Sequence, residues 1–214
     1  MKKQKTFESP ATISEAVYQY IKQAILSGDL RAKQRILEKE IANLYNVSQT
    51  PVREAIRRLS GEKYLIINAR KEIIVAGASW KEVQELYEVV GLLDFPAVTK
   101  AMANITDKDI KDLRKMTREL KNFMDMGKSD SYLDLTLEIH DKIWSLCGNK
   151  FLYETLCHLI EKISFFCKQG ISPYPEEAAL QRSFEDHNNL LKAILNKDTK
   201  KLRDMITRHW YLPY

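Results

Sequence analysis

Val47-Ser48-Gln49-Thr50-Pro51-Val52-Arg53-Glu54-Ala55-Ile56-Arg57-Arg58-Leu59 is the most informative run of this 214-residue chain. Its first residues open a helix that is expected to reach about Ser60. Ser48 or Thr50 can satisfy the orphan amides of the first turn, and Pro51 is harmless there because that turn has no carbonyl to bond back to. Arg57 follows Arg53 by four residues on one face, with Arg58 as a neighbour.

Upstream, Asn46-Val47 makes a tight turn after a helix over Glu38 to Tyr45, whose inward set is Ile41, Ala42, Leu44 and Tyr45. Further upstream, Ile13, Ala16, Val17, Tyr20, Ile21, Ala24 and Ile25 recur at helical spacing between Thr12 and Ser27. Thr12 or Ser14 can cap that helix, and Gly28-Asp29 ends it. Downstream, Tyr64 to Ile67 and Ile73 to Val75 read as two short strands around the polar turn Asn68 to Glu72. Two helices, a turn, a third helix and a hairpin make a winged helix-turn-helix.

Charge agrees with that reading. Residues 1–77 hold 14 Lys+Arg against 8 Asp+Glu, whereas residues 78–214 hold 20 against 21. A basic module joined to a neutral one suggests nucleic-acid binding, the alternative being a basic face that is only solvated. On DNA, a third helix of this kind enters the major groove with its first turn towards base edges. Ser48, Gln49, Thr50 and Arg53 lie on or near that turn, and Arg57 shares the face. Gln pairs with adenine and Arg with guanine, each good bidentate contact discriminating by about 1–3 kcal/mol. Lys39, Arg70 and Lys71 are placed to reach phosphates or the minor groove.

The run from Leu30 through Ile36-Leu37-Glu38 and Ile41-Ala42 to Val47–Leu59 resembles the N-terminal domain of GntR-family bacterial transcription regulators, over about residues 11–76. The resemblance implies that two winged domains of a homodimer bind a short palindromic operator in double-stranded DNA. Three residues depart from the family pattern. Gln49 replaces a usual basic residue, while Lys63 and Glu72 replace usual glycines around the wing. Glu72 is expected to repel phosphate if it faces DNA.

With only 7 Gly and 6 Pro, 44% hydrophobic and 29% charged residues, the chain is expected to be mainly α. Residues 78–214 carry helical patterning and no strand pattern. Helices are expected from Ser79, bent or interrupted near Pro96, from Thr106 to Gly127, over Asp130–Cys147, Phe151–Gly170 and Glu176–Asn196, and from Thr199 to Tyr211. Pro173 and Pro175 fall in a loop. The architecture expected is an N-terminal winged helix-turn-helix, 1–77, followed by an all-α helical bundle, 78–214, which the family resemblance implies to be an effector-binding and dimerisation domain. No apolar run approaches the roughly 18 residues of a spanning helix. The basic start lacks the apolar stretch of a secretory signal. Cys147, Cys157 and Cys167 cannot all pair within one chain and show no CxxC spacing, so buried thiols in a cytoplasmic protein are expected.

Three of the four histidines sit on apolar faces. His140 goes with Leu133, Leu137, Ile143 and Trp144, His187 with Phe184, Leu190, Leu191 and Ile194, and His209 with Leu202, Met205 and Ile206. His158 lies among Glu154, Glu161 and Lys162 on a wet face. Inward imidazoles are commonly hydrogen-bonded core residues, but three on successive bundle helices also suit a divalent metal, zinc or similar.

His140 with Cys147–Leu152, then Glu185-Asp186-His187 and His209, resembles the C-terminal effector (FCD) domain of the FadR-type GntR subfamily. The resemblance implies a pocket holding a metal on three His and one Asp, with His140, His187 and His209 at the His positions. Thr136 stands where the Asp is expected, and Val90-Gly91 where an Arg often pairs with a carboxylate effector. Thr136 and Val90 are therefore expected effector-pocket residues, and Trp144, expected to pack the bundle, can also line that cavity next to His140. The effector expected is a small molecule less acidic than usual, or one bound in another way. The function expected is a ligand-responsive transcription regulator, commonly a repressor. The competing reading is a metal-dependent enzyme on the three-His site. It lacks an evident general base, because Glu138 and Asp141 point to other faces than His140. There is no GxGxxG, P-loop, HExxH or GxSxG motif.

Overall fold

A computed structural model describes residues 12–77, 79–170 and 177–210. The chain divides into two compact units, Met1–Gly77 and Ala78–Tyr214.

The first unit contains α1 (Ile13–Leu26), β1 (Arg35–Ile36), α2 (Glu38–Tyr45), α3 (Gln49–Gly61), β2 (Leu65–Ile67) and β3 (Ile73–Val75). The Thr12 hydroxyl accepts the Glu15 amide at 3.2 Å and starts α1. Helix α1 packs on α3, and Val17, Ile21 and Ile25 are buried along with Val52, Ile56 and Leu59. Each such aliphatic side chain contributes about 1.5–3 kcal/mol by leaving water. This core holds α3 in place from behind.

Several inward assignments are corrected. Ile13, Tyr20 and Leu44 are exposed, and Tyr18 is buried instead. Tyr18 suits the core edge because its hydroxyl donates to Glu62 at 2.7 Å while the Arg58 guanidinium lies 3.7 Å from its ring centroid. Tyr20 makes an edge contact with Tyr45 at 4.6 Å. Helix α2 has two turns and buries only Ala42. Ser48 is the N-cap of α3 by position but makes no capping hydrogen bond.

The sheet has three strands rather than the expected pair, in the order β1-β3-β2, all antiparallel. Strand β1 pairs Arg35 with Ile74 and Ile36 with Ile73. Two residues are too few to show an alternating pattern. At the wing tip, Asn68 Oδ1 accepts the amides of Arg70 and Glu72 at 3.0 and 2.9 Å. This lets Lys71 take a left-handed φ of 61°.

The second unit is built from α4 (Trp80–Asn104), α5 (Asp107–Asp125), α6 (Ser129–Ser145), α7 (Lys150–Lys168), α8 (Glu177–Leu195) and α9 (Thr199–His209). Reciprocal capping boxes, Ser79 with Glu82 and Thr106 with Asp109, start α4 and α5. Gly127, at φ 66°, lies just beyond α5.

Of the bend or interruption expected near Pro96, the interruption does not occur: helix α4 is continuous through it. Proline removes only the bond to the Leu92 carbonyl. Leu92 is on the exposed side of the helix, where water can take that carbonyl. The helices pack as α4 on α7, α5 on α6 and α8 on α9. The core includes Val90, Leu113, Tyr132, Trp144, Leu156 and Leu202. The expected loop with Pro173 and Pro175, and the end of the last helix at Tyr211, lie outside the described residues. No described helix is long and apolar enough to cross a membrane.

Candidate DNA-reading face and imidazole cluster

Helices α2 and α3 and the wing enclose a cleft of about 710 Å³ lined in part by Arg35, Lys39, Gln49, Arg53, Arg57 and Lys71. The leading turn of α3 is organised before any ligand arrives. Arg53 donates from Nε to Glu38 Oε2 at 2.7 Å and from Nη2 to Gln49 Oε1 at 2.9 Å. Gln49, in place of a basic residue, thus acts as an acceptor that fixes the neighbouring guanidinium.

Glu72 does not confront the cleft as a free anion. It pairs with Arg35 at 3.3 Å and accepts from Asn68 Nδ2 at 2.7 Å. The cleft's acids, Glu38 and Glu72, are therefore each matched by an arginine, while Lys39, Arg57 and Lys71 are exposed and form no ion pair with another described residue. Ser48 and Thr50 are exposed at the start of α3, and Arg70 at the wing tip. Arg58 is spent differently. It pairs with Glu15 at 2.6 Å and Glu62 at 3.2 Å, tying α3 to α1. Sequence reasoning missed Glu38 and Arg35 in the cleft, because an acidic residue at a helix start reads as a dipole partner.

In the helical unit, α6, α8 and the end of α9 bring His140, His187 and His209 together. His140 Nε2 lies 3.2 Å from His209 Nε2 and 3.3 Å from His187 Nε2. Burial lowers all three from their usual value, and neighbouring imidazoles push His140 and His209 further the same way. The rings are therefore neutral and offer lone pairs.

His187 has its tautomer set: Nδ1–H donates to the Ser183 carbonyl at 2.7 Å, which leaves Nε2 as a lone-pair donor. One proton on His140 Nε2 can serve only one of its two close neighbours. The cluster thus concentrates more lone pairs than protons. Two zinc–nitrogen bonds of about 2.0–2.1 Å at a tetrahedral angle place their nitrogens roughly 3.3 Å apart. The donor set and spacing fit a divalent cation.

Of the expected pocket residues, Trp144 lies 5.2 Å from the His140 ring, and Thr136, Trp144 and Val90 are all buried. The Thr136 hydroxyl donates to the Tyr132 carbonyl at 2.9 Å, one turn back. It presents a neutral oxygen where a carboxylate was expected.

Sequence reasoning missed Asp94. This carboxylate is fully buried and accepts Trp144 Nε1 at 2.6 Å and Trp210 Nε1 at 2.7 Å. Burial pushes its pKa up to about 6, against the opposing effect of the two indole donors. The sequence did hold a signal, since Asp94 falls on the α4 stripe of Val83, Tyr87, Val90, Ala97 and Ala101. Cys147 and Cys167 are buried as expected, whereas Cys157 is only half-buried, with its thiol 3.4 Å from Asp141. His158 is exposed.

A winged helix-turn-helix with a basic, pre-ordered reading helix, joined in one chain to a helical unit with its own polar centre, defines a DNA-binding regulator. Residues 13–75 match the family described as bacterial regulatory proteins, gntR family, and residues 85–211 match the FCD domain. The chain belongs to the GntR family of transcription regulators and carries an FCD domain.

Among its relatives, the Nta operon transcriptional regulator of Aminobacter aminovorans is 31% identical over 140 residues, 65% of this chain and 66% of that one. The HTH-type transcriptional repressor GlaR of Escherichia coli is 22% identical, over 92% of this chain and 91% of that one. The solved structure of E. coli McbR/YncC superposes with a TM-score of 0.76 at 21% identity, covering 94% of each chain. These relatives are regulators, not enzymes, so the chain is read as a DNA-binding transcription regulator and the metal-enzyme alternative is set aside.

Proposed function

We propose that this chain is a cytoplasmic repressor that binds a palindromic operator as a homodimer, and that its operator affinity is set by a ligand in the helical unit. The ligand centre is a divalent cation, zinc or similar, held by His140, His187 and His209. A small metabolite sits beside it near Val90, Thr136 and Trp144. When bound, the cation supplies a positive charge and an open coordination position for an oxygen donor.

The observation that carries this reading is the convergence of three neutral imidazole Nε2 atoms, two pairs of them at 3.2 and 3.3 Å. The basic cleft supports the operator half of the reading. Gln49 and Arg53 read base edges, Ser48, Thr50, Lys39 and Arg57 hold backbone, and Arg70 and Lys71 carry the wing.

The test combines zinc calorimetry with operator binding. The chelator-treated full chain is titrated with zinc chloride, and a DNA site is recovered from a pool of random duplexes. The reading expects one zinc per chain, at least tenfold weaker binding by His187→Ala, and a 5–150-fold change in operator affinity on saturation with zinc and metabolite. No zinc heat, or an operator affinity indifferent to every ligand tried, overturns it.

A further inference from the structure

The far nitrogen of His187, Nδ1, is held by a hydrogen bond, but that of His140 is not. His140 Nδ1 is buried and has no hydrogen-bond partner among the described residues. Metal-binding imidazoles are ordinarily oriented by such a bond on the far nitrogen. On that side of the ring His140 is held by packing. The Trp144 ring lies 5.2 Å from its centroid, and Trp210 lies 4.9 Å away. Trp210 also meets His209 at 5.0 Å.

Those two indoles come from α6 and from the end of α9, and Asp94 of α4 pins both through their N–H groups. Gly91, one turn before Asp94 on α4, makes room for this. A β-carbon there would stand 3.0 Å from Trp210 Cβ.

We infer that Asp94 is a positioning residue for the imidazole cluster: by holding the Trp144 and Trp210 indoles it orients His140 and His209 in place of the missing hydrogen bond. The inference rests on the three-imidazole reading above. The carboxylate serves both indoles because each of its oxygens accepts one N–H. An amide offers a single oxygen, and its NH2 would face the second indole donor to donor. Asn at position 94 therefore releases one indole, and with it the ring that the indole restrains. Substitution of groups that orient metal ligands typically weakens metal affinity 10–100-fold.

The experiment uses the full-length chain, freed of metal, as wild type, Asp94→Asn, Trp210→Phe and His140→Ala. Zinc affinity is read by calorimetry, ligand geometry by the visible absorption of the cobalt(II)-loaded protein, and folding by the melting temperature of the metal-free form. The expected result is a 10–100-fold loss of zinc affinity and altered cobalt bands in Asp94→Asn, measured where the variant is folded. Trp210→Phe shifts in the same direction. A purely architectural Asp94 would lower the melting temperature yet leave affinity and cobalt bands alone.

Affinities within threefold of wild type in both variants, with unchanged bands, overturn the inference. Should Asp94→Asn not fold, Trp210→Phe decides. If His140→Ala loses zinc while Asp94→Asn and Trp210→Phe keep it, this inference alone fails. If His140→Ala binds like wild type, the three-imidazole reading fails and takes the inference with it.

Discussion

Lys63, between α3 and β2, holds φ at 61°, a left-handed backbone that costs a side-chain-bearing residue about 1–2 kcal/mol. Glycine removes that cost but frees the unfolded chain by about 0.4–1 kcal/mol. Lys63→Gly is therefore expected to stabilise the protein by about 0.5 kcal/mol, read as a higher urea midpoint with an unchanged slope. The histidines make a second expectation. His140, His187 and His209 are depressed from a usual value near 6.5, so below that pH the unfolded chain takes up protons that the folded chain refuses. Stability of the metal-free protein falls as pH drops from 6.5 towards the lowered values. Asp94 acts oppositely: raised from 3.8 to about 6, it gains its proton in the folded state first and offsets one of the three histidines on the way down. Unfolding measured in urea between pH 7.5 and 5 should show this net acid loss, and His209→Ala should make it shallower by about one proton.

The two α3 arginines that line the cleft, Arg53 and Arg57, should part company when DNA binding is measured. Arg57 is unpaired among the described residues, so Arg57→Ala removes one phosphate contact. It is expected to weaken all duplexes alike and reduce the salt slope of log K by about 1. Arg53 is held by Glu38 and Gln49 in one orientation, as a base reader requires, so Arg53→Ala is expected to cost about 1–3 kcal/mol at the preferred site and to relax its sequence preference. Equal losses on preferred and random duplexes would remove Arg53 from base reading. The helices of both units were legible because their apolar periods run over several turns and their caps are explicit, as at Thr12, Ser79 and Thr106. Strand β1 was not, because two residues carry no period. The three inward histidines could be read from helical faces, but their convergence could not, since it depends on how α6, α8 and α9 pack. Asp94 escaped for the opposite reason. Its place on an apolar stripe was visible, but a buried carboxylate makes sense only once the two indole donors are known.

The coupling proposed between the cleft and the imidazole cluster would be a property of the whole chain, and thermodynamics constrains it without reference to any route between them. If zinc changes operator affinity by a given factor, operator must change zinc affinity by the same factor. Both legs can be measured on one preparation: operator Kd with and without saturating zinc, and zinc Kd with and without saturating duplex. The factors should agree, and both should collapse to one in His140→Ala. The Asp94→Asn variant refines this. A positioning residue that serves only the cluster lowers zinc affinity equally for free and DNA-bound protein, leaving the coupling factor intact. If α4 also carries the signal, the coupling factor falls along with the affinity, because the same carboxylate ties α4 to the rings that contact the ligands. A zinc effect on operator binding with no operator effect on zinc binding would violate linkage, and would mean that zinc acts through a site other than His140, His187 and His209, such as the DNA itself.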